Sequence, residues 1–160
     1  MKTVTGTIVV VLASTVLLSS AIGCHRGASS ATEPPAIASH GEASVSWTRS
    51  WDAAAKRARA EHKAILIDFY ADWCIWCRRL DATTYRDPQV ANFLTNRVVA
   101  TKLNVDDGEG RRLASTYHVD GLPTILVVSA DGHELGRIPG YMPAGQFLDK
   151  VSRIVRSSSK

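Results

Sequence analysis

Two cysteines separated by two residues, Cys74 and Cys77, are the residues of this chain best suited to chemistry. They follow a short apolar run and stand at the predicted start of a helix, where backbone N–H groups and the helix dipole stabilise a thiolate. Cysteines at positions i and i+3 of a helix also lie close enough to form a disulfide. The spacing therefore predicts Cys74 as the nucleophile and Cys77 as the thiol that resolves its mixed disulfide.

Two other uses of the cysteine pair were weighed against thiol exchange. A zinc site needs two more Cys or His ligands at suitable spacing, whereas His62, His118 and His133 are isolated in the sequence. A structural disulfide that closes so short a ring would constrain little of the unfolded chain. Reversible thiol chemistry is therefore the favoured interpretation, and it requires no metal and no other cofactor.

Alternating strands and helices must position this pair. Short apolar runs predict strands over 64–70, 98–105, 124–129 and 134–138, and helical patterns lie within 47–63, 74–85, 87–96, 107–118 and 143–155. Ser50 and Asp87 stand where N-caps are expected, and Asp131-Gly132 predicts a hairpin between the last two strands. The order predicts an α/β fold with a central, mainly parallel sheet flanked by helices on both faces and an antiparallel edge.

Composition and charge are those of an ordinary globular protein. Apolar residues make up 45% and charged residues 21% of the 160 residues, and this length allows one domain with a modest core. Three cysteines are too few for a disulfide-stapled scaffold. The 19 Lys and Arg and the 15 Asp and Glu are scattered without a basic block, so we expect no nucleic-acid partner.

The N-terminal residues predict export. Lys2 precedes an apolar stretch over 7–18 that is too short for a comfortable membrane span, which is typical of a signal peptide over 1–23. The run from Ala21 to Cys24 resembles the lipobox of bacterial lipoproteins, in which cleavage leaves the cysteine as a lipidated N-terminus. The alternative is ordinary signal cleavage nearby, with Cys24 left as a free thiol. Either way we expect a periplasmic or extracytoplasmic protein, and a lipidated Cys24 would anchor it to a membrane.

The predicted mature chain consists of a tether, a domain and a short tail. Residues 24–44 are rich in Ala, Ser, Gly and Pro, with Ile37 as the only large apolar residue, and cannot bury enough surface to fold. We therefore predict a flexible tether over 24–44, a folded domain over 45–156 and a tail over 157–160.

The segment around the cysteines resembles the thioredoxin superfamily. The resemblance rests on the run from Asp68 to Cys77 (DFYADWCIWC) and on Gly121-Leu122-Pro123-Thr124 downstream. The run DFYADWC, followed later by DPQV and GLPTIL, is especially similar to the C-terminal periplasmic domain of thiol:disulfide interchange proteins of the DsbD type. The resemblance covers about residues 47–155 and implies a thioredoxin fold, with a central mixed β-sheet flanked by helices.

The resemblance also implies a docking surface for partner proteins. Pro123 matches the cis proline that packs beside the two cysteines, and Leu122 before it would line the partner groove. A plain proline at a strand start is the alternative for Pro123. Trp73 would flank Cys74 as part of this surface, and Trp76 would either line the substrate site or serve in packing.

The resemblance also implies that Asp68 relays a proton and that Lys102 tunes it. Asp68 matches the buried acid of thioredoxins, and a carboxyl inside an apolar strand has a raised pKa that suits proton exchange with Cys77. Lys102 matches the family's lysine and would tune Asp68. The alternative is a partly exposed acid at a strand end that pairs with Lys102.

The predicted function is that of an exported thiol:disulfide oxidoreductase. Ile75-Trp76 lies between the cysteines and supplies no imidazole to stabilise the Cys74 thiolate, which favours a protein-disulfide reductase. An oxidase or isomerase, or a non-enzymatic adaptor with a redox switch, are the alternatives. The expected partners are disulfide-containing exported proteins and a membrane electron donor of the DsbD or CcdA type, and we expect a monomer.

Overall fold

Five strands form one sheet in the part of the chain that the computed structural model describes, residues 44–157. They are β1 (Trp47–Thr48), β2 (Ala64–Tyr70), β3 (Val98–Asn104), β4 (Thr124–Val128) and β5 (Glu134–Pro139), in the spatial order β1-β3-β2-β4-β5. The strand β2 is central because its residues are almost all large and apolar, as suits a strand covered on both faces.

Five α-helices and one 3-10 turn accompany the sheet in the described residues. They are α1 (Trp51–Glu61), α2 (Ile75–Ala82), the 3-10 turn Thr84–Arg86, α3 (Pro88–Arg97), α4 (Gly108–Thr116) and α5 (Ala144–Ser157). The predicted cap of α3 is present, since the Asp87 carboxylate accepts hydrogen bonds from the N–H groups of Gln89 and Val90. Ser50 occupies the N-cap position of α1, but its side chain makes no capping hydrogen bond.

Alternate side chains of β2 enter two separate cores. One face carries Leu66 and packs with residues of α2, α3 and α5, whereas the other carries Ile65, Ile67 and Phe69 and packs with residues of α1 and α4. The predicted sheet with helices on both faces is therefore confirmed. Asp68 shares the face of Leu66, because successive side chains of a strand alternate, and α2 lies on that face.

Two expectations about the sheet are wrong in detail. No strand was expected before α1, but Trp47 and Thr48 pair in parallel with Ala100 and Thr101 of β3. So short a strand has no periodicity of its own and exists through this long-range pairing. The sheet is also not mainly parallel: β3 runs parallel to β1 and β2, whereas β4 runs antiparallel to both β2 and β5.

Several predictions concern residues outside the described part of the chain. The signal peptide over 1–23, Cys24, nearly all of the tether over 24–44 and most of the tail over 157–160 belong to this group. Within residues 44–157, no helix has both the length and the apolar character needed to cross a bilayer.

Candidate dithiol active site

Cys74 and Cys77 are joined by a disulfide at the start of α2. Cys74 is the N-cap residue, and its sulfur accepts a hydrogen bond of 3.1 Å from the backbone N–H of Cys77. The two Cα atoms are 5.3 Å apart, within the usual span of a disulfide. Both side chains are buried, with 5% of Cys74 and 3% of Cys77 exposed. The structure therefore places the predicted nucleophile where N–H groups at a helix terminus stabilise a thiolate.

Three large apolar side chains beside the disulfide are exposed to solvent. Trp73, Ile75 and Trp76 have 67%, 68% and 51% of their surface exposed, and they are the exposed large hydrophobic residues of the described chain. The Trp73 indole is held by a hydrogen bond of 2.9 Å from its Nε1 to the Asp106 carboxylate. Exposed apolar side chains grouped beside a disulfide are typical of a protein-docking site.

Trp76 both faces solvent and packs on the protein. Its ring centroid is 5.9 Å from that of Tyr141, in the loop between β5 and α5. The Arg79 guanidinium lies 5.4 Å from the Trp76 centroid and 4.8 Å from the Tyr141 centroid. The packing alternative for Trp76 is therefore present in the structure, and the contacts with Tyr141 and Arg79 orient the exposed part of the indole.

The peptide bond between Leu122 and Pro123 is cis, as the family resemblance implies. Leu122 is half-buried and packs against the cluster that contains Cys74 and Cys77, and Pro123 is buried. The Pro123 carbonyl accepts a hydrogen bond of 2.8 Å from the N–H of Gly140. Leu122 therefore lies beside the disulfide, and Pro123 joins it to the start of β4.

Asp68 and Lys102 form a buried ion pair between adjacent strands. The Lys102 ammonium lies 3.2 Å from Asp68 Oδ2, and 6% of the Lys102 side chain and 1% of the Asp68 side chain are exposed. Asp68 is therefore both buried and paired with Lys102. Burial raises the pKa of the Asp68 carboxyl to about 6, the Lys102 charge opposes this rise, and the Asp81 charge adds to it. A carboxyl with this pKa can accept and release a proton near neutral pH.

Asp81 is a site residue that the sequence analysis missed. It lies on α2 four residues after Cys77, and its carboxylate forms a second ion pair with Lys102. Asp81 is half exposed, with 46% of its side chain accessible, so it links the buried pair to solvent. The spacing of four residues from Cys77 was the available signal, since such residues share one face of a helix.

The described residues offer no cluster suited to a metal ion. Within 44–157, no three His, Cys, Asp or Glu side chains are grouped to hold one.

The sequence model of the thioredoxin-like domain family matches residues 51–154. The chain belongs to the thioredoxin-like family. The expected thioredoxin fold is thereby confirmed.

Sequence relatives of this thioredoxin-like chain include thiol:disulfide interchange proteins named DsbD. The protein from Tatumella citrea is 36% identical over 100 residues, which make up 61% of this chain and 17% of that protein. The protein from Pseudomonas fluorescens is 38% identical over 96 residues, 58% of this chain and 16% of that protein. The chain therefore spans about a sixth of the length of the curated relatives it matches.

A solved structure of a DsbD domain is also similar to this chain. The oxidised C-terminal domain of DsbD from Neisseria meningitidis superimposes with a TM-score of 0.58 at 28% identity, over 68% of this chain and 98% of that domain. The family, these relatives and the Cys74–Cys77 pair together support a thioredoxin-fold disulfide oxidoreductase similar to DsbD domains.

Proposed function

We propose that this chain is an exported protein-disulfide reductase that uses Cys74 and Cys77 as its dithiol. The observation that carries the proposal is the Cys74–Cys77 disulfide at the N-terminus of α2, beside exposed apolar side chains. The buried Asp68 carboxyl lies on the face of β2 that α2 covers. A reactive disulfide, a docking surface for a partner and a proton acceptor are the parts that thiol–disulfide exchange requires.

In the first step, the Cys74 thiolate of the reduced protein attacks one sulfur of a partner's disulfide. A bond forms between Cys74 Sγ and that sulfur, and the partner's own S–S bond breaks. The second partner sulfur leaves as a thiolate and takes a proton from water. Trp73, Ile75, Trp76 and Leu122 contact the partner during this step, and Pro123 holds Leu122 beside Cys74.

In the second step, Cys77 resolves the mixed disulfide. Asp68 accepts the proton of the Cys77 thiol, the Cys77 thiolate attacks Cys74 Sγ, and the remaining partner sulfur leaves as a thiolate. The protein's dithiol has then become a disulfide, and the partner's disulfide has gained two electrons. Asp68 releases its proton to solvent, and Lys102 and Asp81 adjust its basicity.

Two observations support the reducing direction over oxidation. Resolution by Cys77 needs a base, and Asp68 has a pKa of about 6. Ile75 and Trp76 supply no imidazole that would stabilise the reduced thiolate of Cys74 and make the pair a strong oxidant.

The proposed partners follow from this direction. The substrates are disulfide-containing exported proteins, because disulfides persist outside the cytoplasm. Each turnover leaves this chain oxidised, so a membrane electron donor of the DsbD or CcdA type must restore its dithiol. We further propose that lipidated Cys24 anchors the protein, as a monomer, to the membrane where such a donor lies.

The reduction potential of the Cys74–Cys77 couple tests the direction. We expect a value near the roughly −270 mV of thioredoxin, measured by equilibration with a thiol buffer of known potential. A value near about −120 mV would make the protein an oxidant and contradict the proposal.

Substitution of each cysteine tests the mechanism. Cys74→Ser removes the nucleophile, so catalytic reduction of a protein disulfide should be lost, whereas Cys77→Ser should accumulate a covalent mixed disulfide that gel electrophoresis without reductant detects. The adaptor alternative predicts instead that Cys74→Ser keeps partner binding and that the unaltered chain shows no turnover. Full activity of Cys74→Ser would rule out the mechanism.

A further inference from the structure

The Lys102 ammonium is enclosed by aromatic rings as well as by carboxylates. Its Nζ lies 5.2 Å from the ring centroid of Trp47, 5.2 Å from that of Tyr70 and 5.4 Å from that of Tyr85. Cations at these distances from aromatic faces are attracted, and the attraction grows when water is excluded. The rings come from β1, from the end of β2 and from the 3-10 turn, so three separate elements confine one ammonium group.

Trp47 is the ring of this enclosure that comes from the edge strand β1 and borders an adjoining cavity. It is partly buried and packs edge-on against Tyr85, with centroids 4.8 Å apart and an angle of 64° between the ring planes. A cavity of about 590 Å³ lies outside it, and Trp47, Tyr85, Asp81 and Lys102 line this cavity. Asp68 does not line the cavity, although its carboxylate is in contact with Lys102.

We propose that Trp47 is a positioning residue for the dithiol chemistry: it confines Lys102 against Asp68 and keeps water from the buried carboxyl that serves Cys77. This inference rests on the proposed function, in which Asp68 accepts the Cys77 proton. The electron and proton balance of the exchange is unchanged, since Trp47 itself neither bonds nor transfers a proton.

The charged and titratable groups around Lys102 come from three elements and from the segment after β1. They are Asp68 and Tyr70 of β2, Asp81 of α2, Tyr85 and Arg86 of the 3-10 turn, and Arg49 after β1. Arg49 and Arg86 line the cavity, and Arg49 donates a hydrogen bond of 2.7 Å to the Tyr70 hydroxyl. Asp68 Oδ1 and Tyr85 Oη are both buried, and burial together with the Asp68 charge raises the pKa of the Tyr85 hydroxyl.

Removal of the Trp47 indole should shift the pKa of Asp68 in one direction. Water that enters from the cavity weakens two effects on the pKa of Asp68: the desolvation that raises it and the Lys102 charge that lowers it. Burial is the largest cause of the raised pKa of Asp68, so we expect its relief to lower that pKa from about 6 towards 3.8. A weaker base accepts the Cys77 proton less readily, and resolution at neutral pH becomes slower.

The experiment is a titration of the Asp68 carboxyl by carbon NMR in the oxidised full-length chain. We expect a midpoint near 6 in the unaltered protein and a fall of about one unit or more in Trp47→Ala, because water replaces the indole. Trp47→Phe keeps a ring over Lys102 and should retain the midpoint near 6. Trp47→Thr also removes the ring, and threonine is favoured in β-strands. It replaces the alanine variant if that variant does not fold, and the same fall in the midpoint is expected.

Trp51→Ala is the matched control. Trp51 packs on the core of the opposite face, with α1 and α4, so its loss should leave the Asp68 midpoint unchanged. A midpoint in Trp47→Ala and Trp47→Thr that equals or exceeds that of the unaltered chain would overturn the inference.

A kinetic measurement separates this inference from the proposed function. The rate at which Cys77 resolves a preformed mixed disulfide at Cys74 should fall by up to about tenfold at pH 7 in Trp47→Ala, and the phenylalanine variant should restore it. If the midpoint does not move but the unaltered chain reduces disulfides, the inference fails and the function stands. If the midpoint moves but the unaltered chain reduces nothing, the function fails and the effect of Trp47 on Asp68 stands.

Discussion

At the residue scale, Asp68 combines a chemical role with a cost in stability. Its carboxyl lies in the central strand with 1% of its surface exposed, and burial raises its pKa from 3.8 to about 6. Between these two values the folded chain binds more protons than the unfolded chain, so the free energy of unfolding falls as the pH rises. The loss begins near 3.8 and is complete above about 6. The fold therefore contains a buried carboxylate at neutral pH at a cost in stability, at the residue that we propose as the base.

We predict that Asp68→Asn removes this part of the pH dependence. The asparagine does not ionise, so the stability of the variant relative to the unaltered chain should rise by up to about 3 kcal/mol between pH 4 and pH 7. Denaturant unfolding of both oxidised proteins at several pH values measures the difference.

The control for Asp68→Asn is Asp149→Asn, which removes an exposed carboxyl of α5. Its stability should follow that of the unaltered chain at every pH. A difference between Asp68→Asn and the unaltered chain that stays constant from pH 4 to pH 7 would show that Asp68 is not a buried base.

At the element scale, the close approach of α4 to the end of β3 shapes the edge of the site. A Cβ placed on Gly110 of α4 would overlap the backbone carbonyl of Asn104, the last residue of β3. Asp106 lies two residues after Asn104, and its carboxylate accepts the hydrogen bond from the Trp73 indole. Backbone cannot yield as a flexible side chain can, so only glycine permits this approach.

We predict that Gly110→Ala destabilises the protein. The overlap with backbone forces α4 away from β3, and we expect a loss of roughly 1–3 kcal/mol in the free energy of unfolding. Gly108→Ala in the same helix is the matched control, because nothing lies within 4 Å of its added Cβ. That control should be neutral or more stable by up to about 1 kcal/mol. Equal effects of the two substitutions in thermal or denaturant unfolding would contradict the packing argument.

At the scale of the whole molecule, the domain and the predicted anchor are separate parts. Residues 47–157 contain every described strand and helix, whereas Cys24 precedes the described chain by about twenty residues. The modest net charge of +4 gives no basic block that would by itself hold the protein on an anionic membrane. Lipid at Cys24, as we propose, would attach the domain to a membrane.

We predict that Cys24→Ala releases the protein from membranes without changing its redox chemistry. In bacteria supplied with labelled fatty acid, the unaltered chain should carry label and fractionate with membranes, whereas the variant should do neither. The reduction potential of the Cys74–Cys77 couple serves as the control and should be the same in both. An unlabelled, soluble mature protein from the unaltered gene would favour ordinary signal cleavage instead.

Local features of the site were predictable from the sequence. The Cys74–Cys77 spacing and the apolar run before it predicted a disulfide at a helix start, because that geometry depends on one helical turn. Asp131-Gly132 predicted the hairpin, and Gly132 indeed has a positive φ of 89° and donates its N–H to the Ser129 carbonyl. Asp87 and Pro88 predicted the start of α3, because a capping side chain followed by proline favours the first turn of a helix.

The sequence by itself therefore determined the longer elements and the dithiol, since capping, periodicity and turn geometry act over a few residues. The family resemblance indicated the buried acid. Only the tertiary structure decided the short strand β1, the reversed direction of β4 and the surroundings of Lys102. Those surroundings bring together Trp47, Asp68, Asp81 and Tyr85, which are up to 38 positions apart along the chain. Ion pairs and ring contacts depend on distance in space, and burial at that point sets the basicity of Asp68.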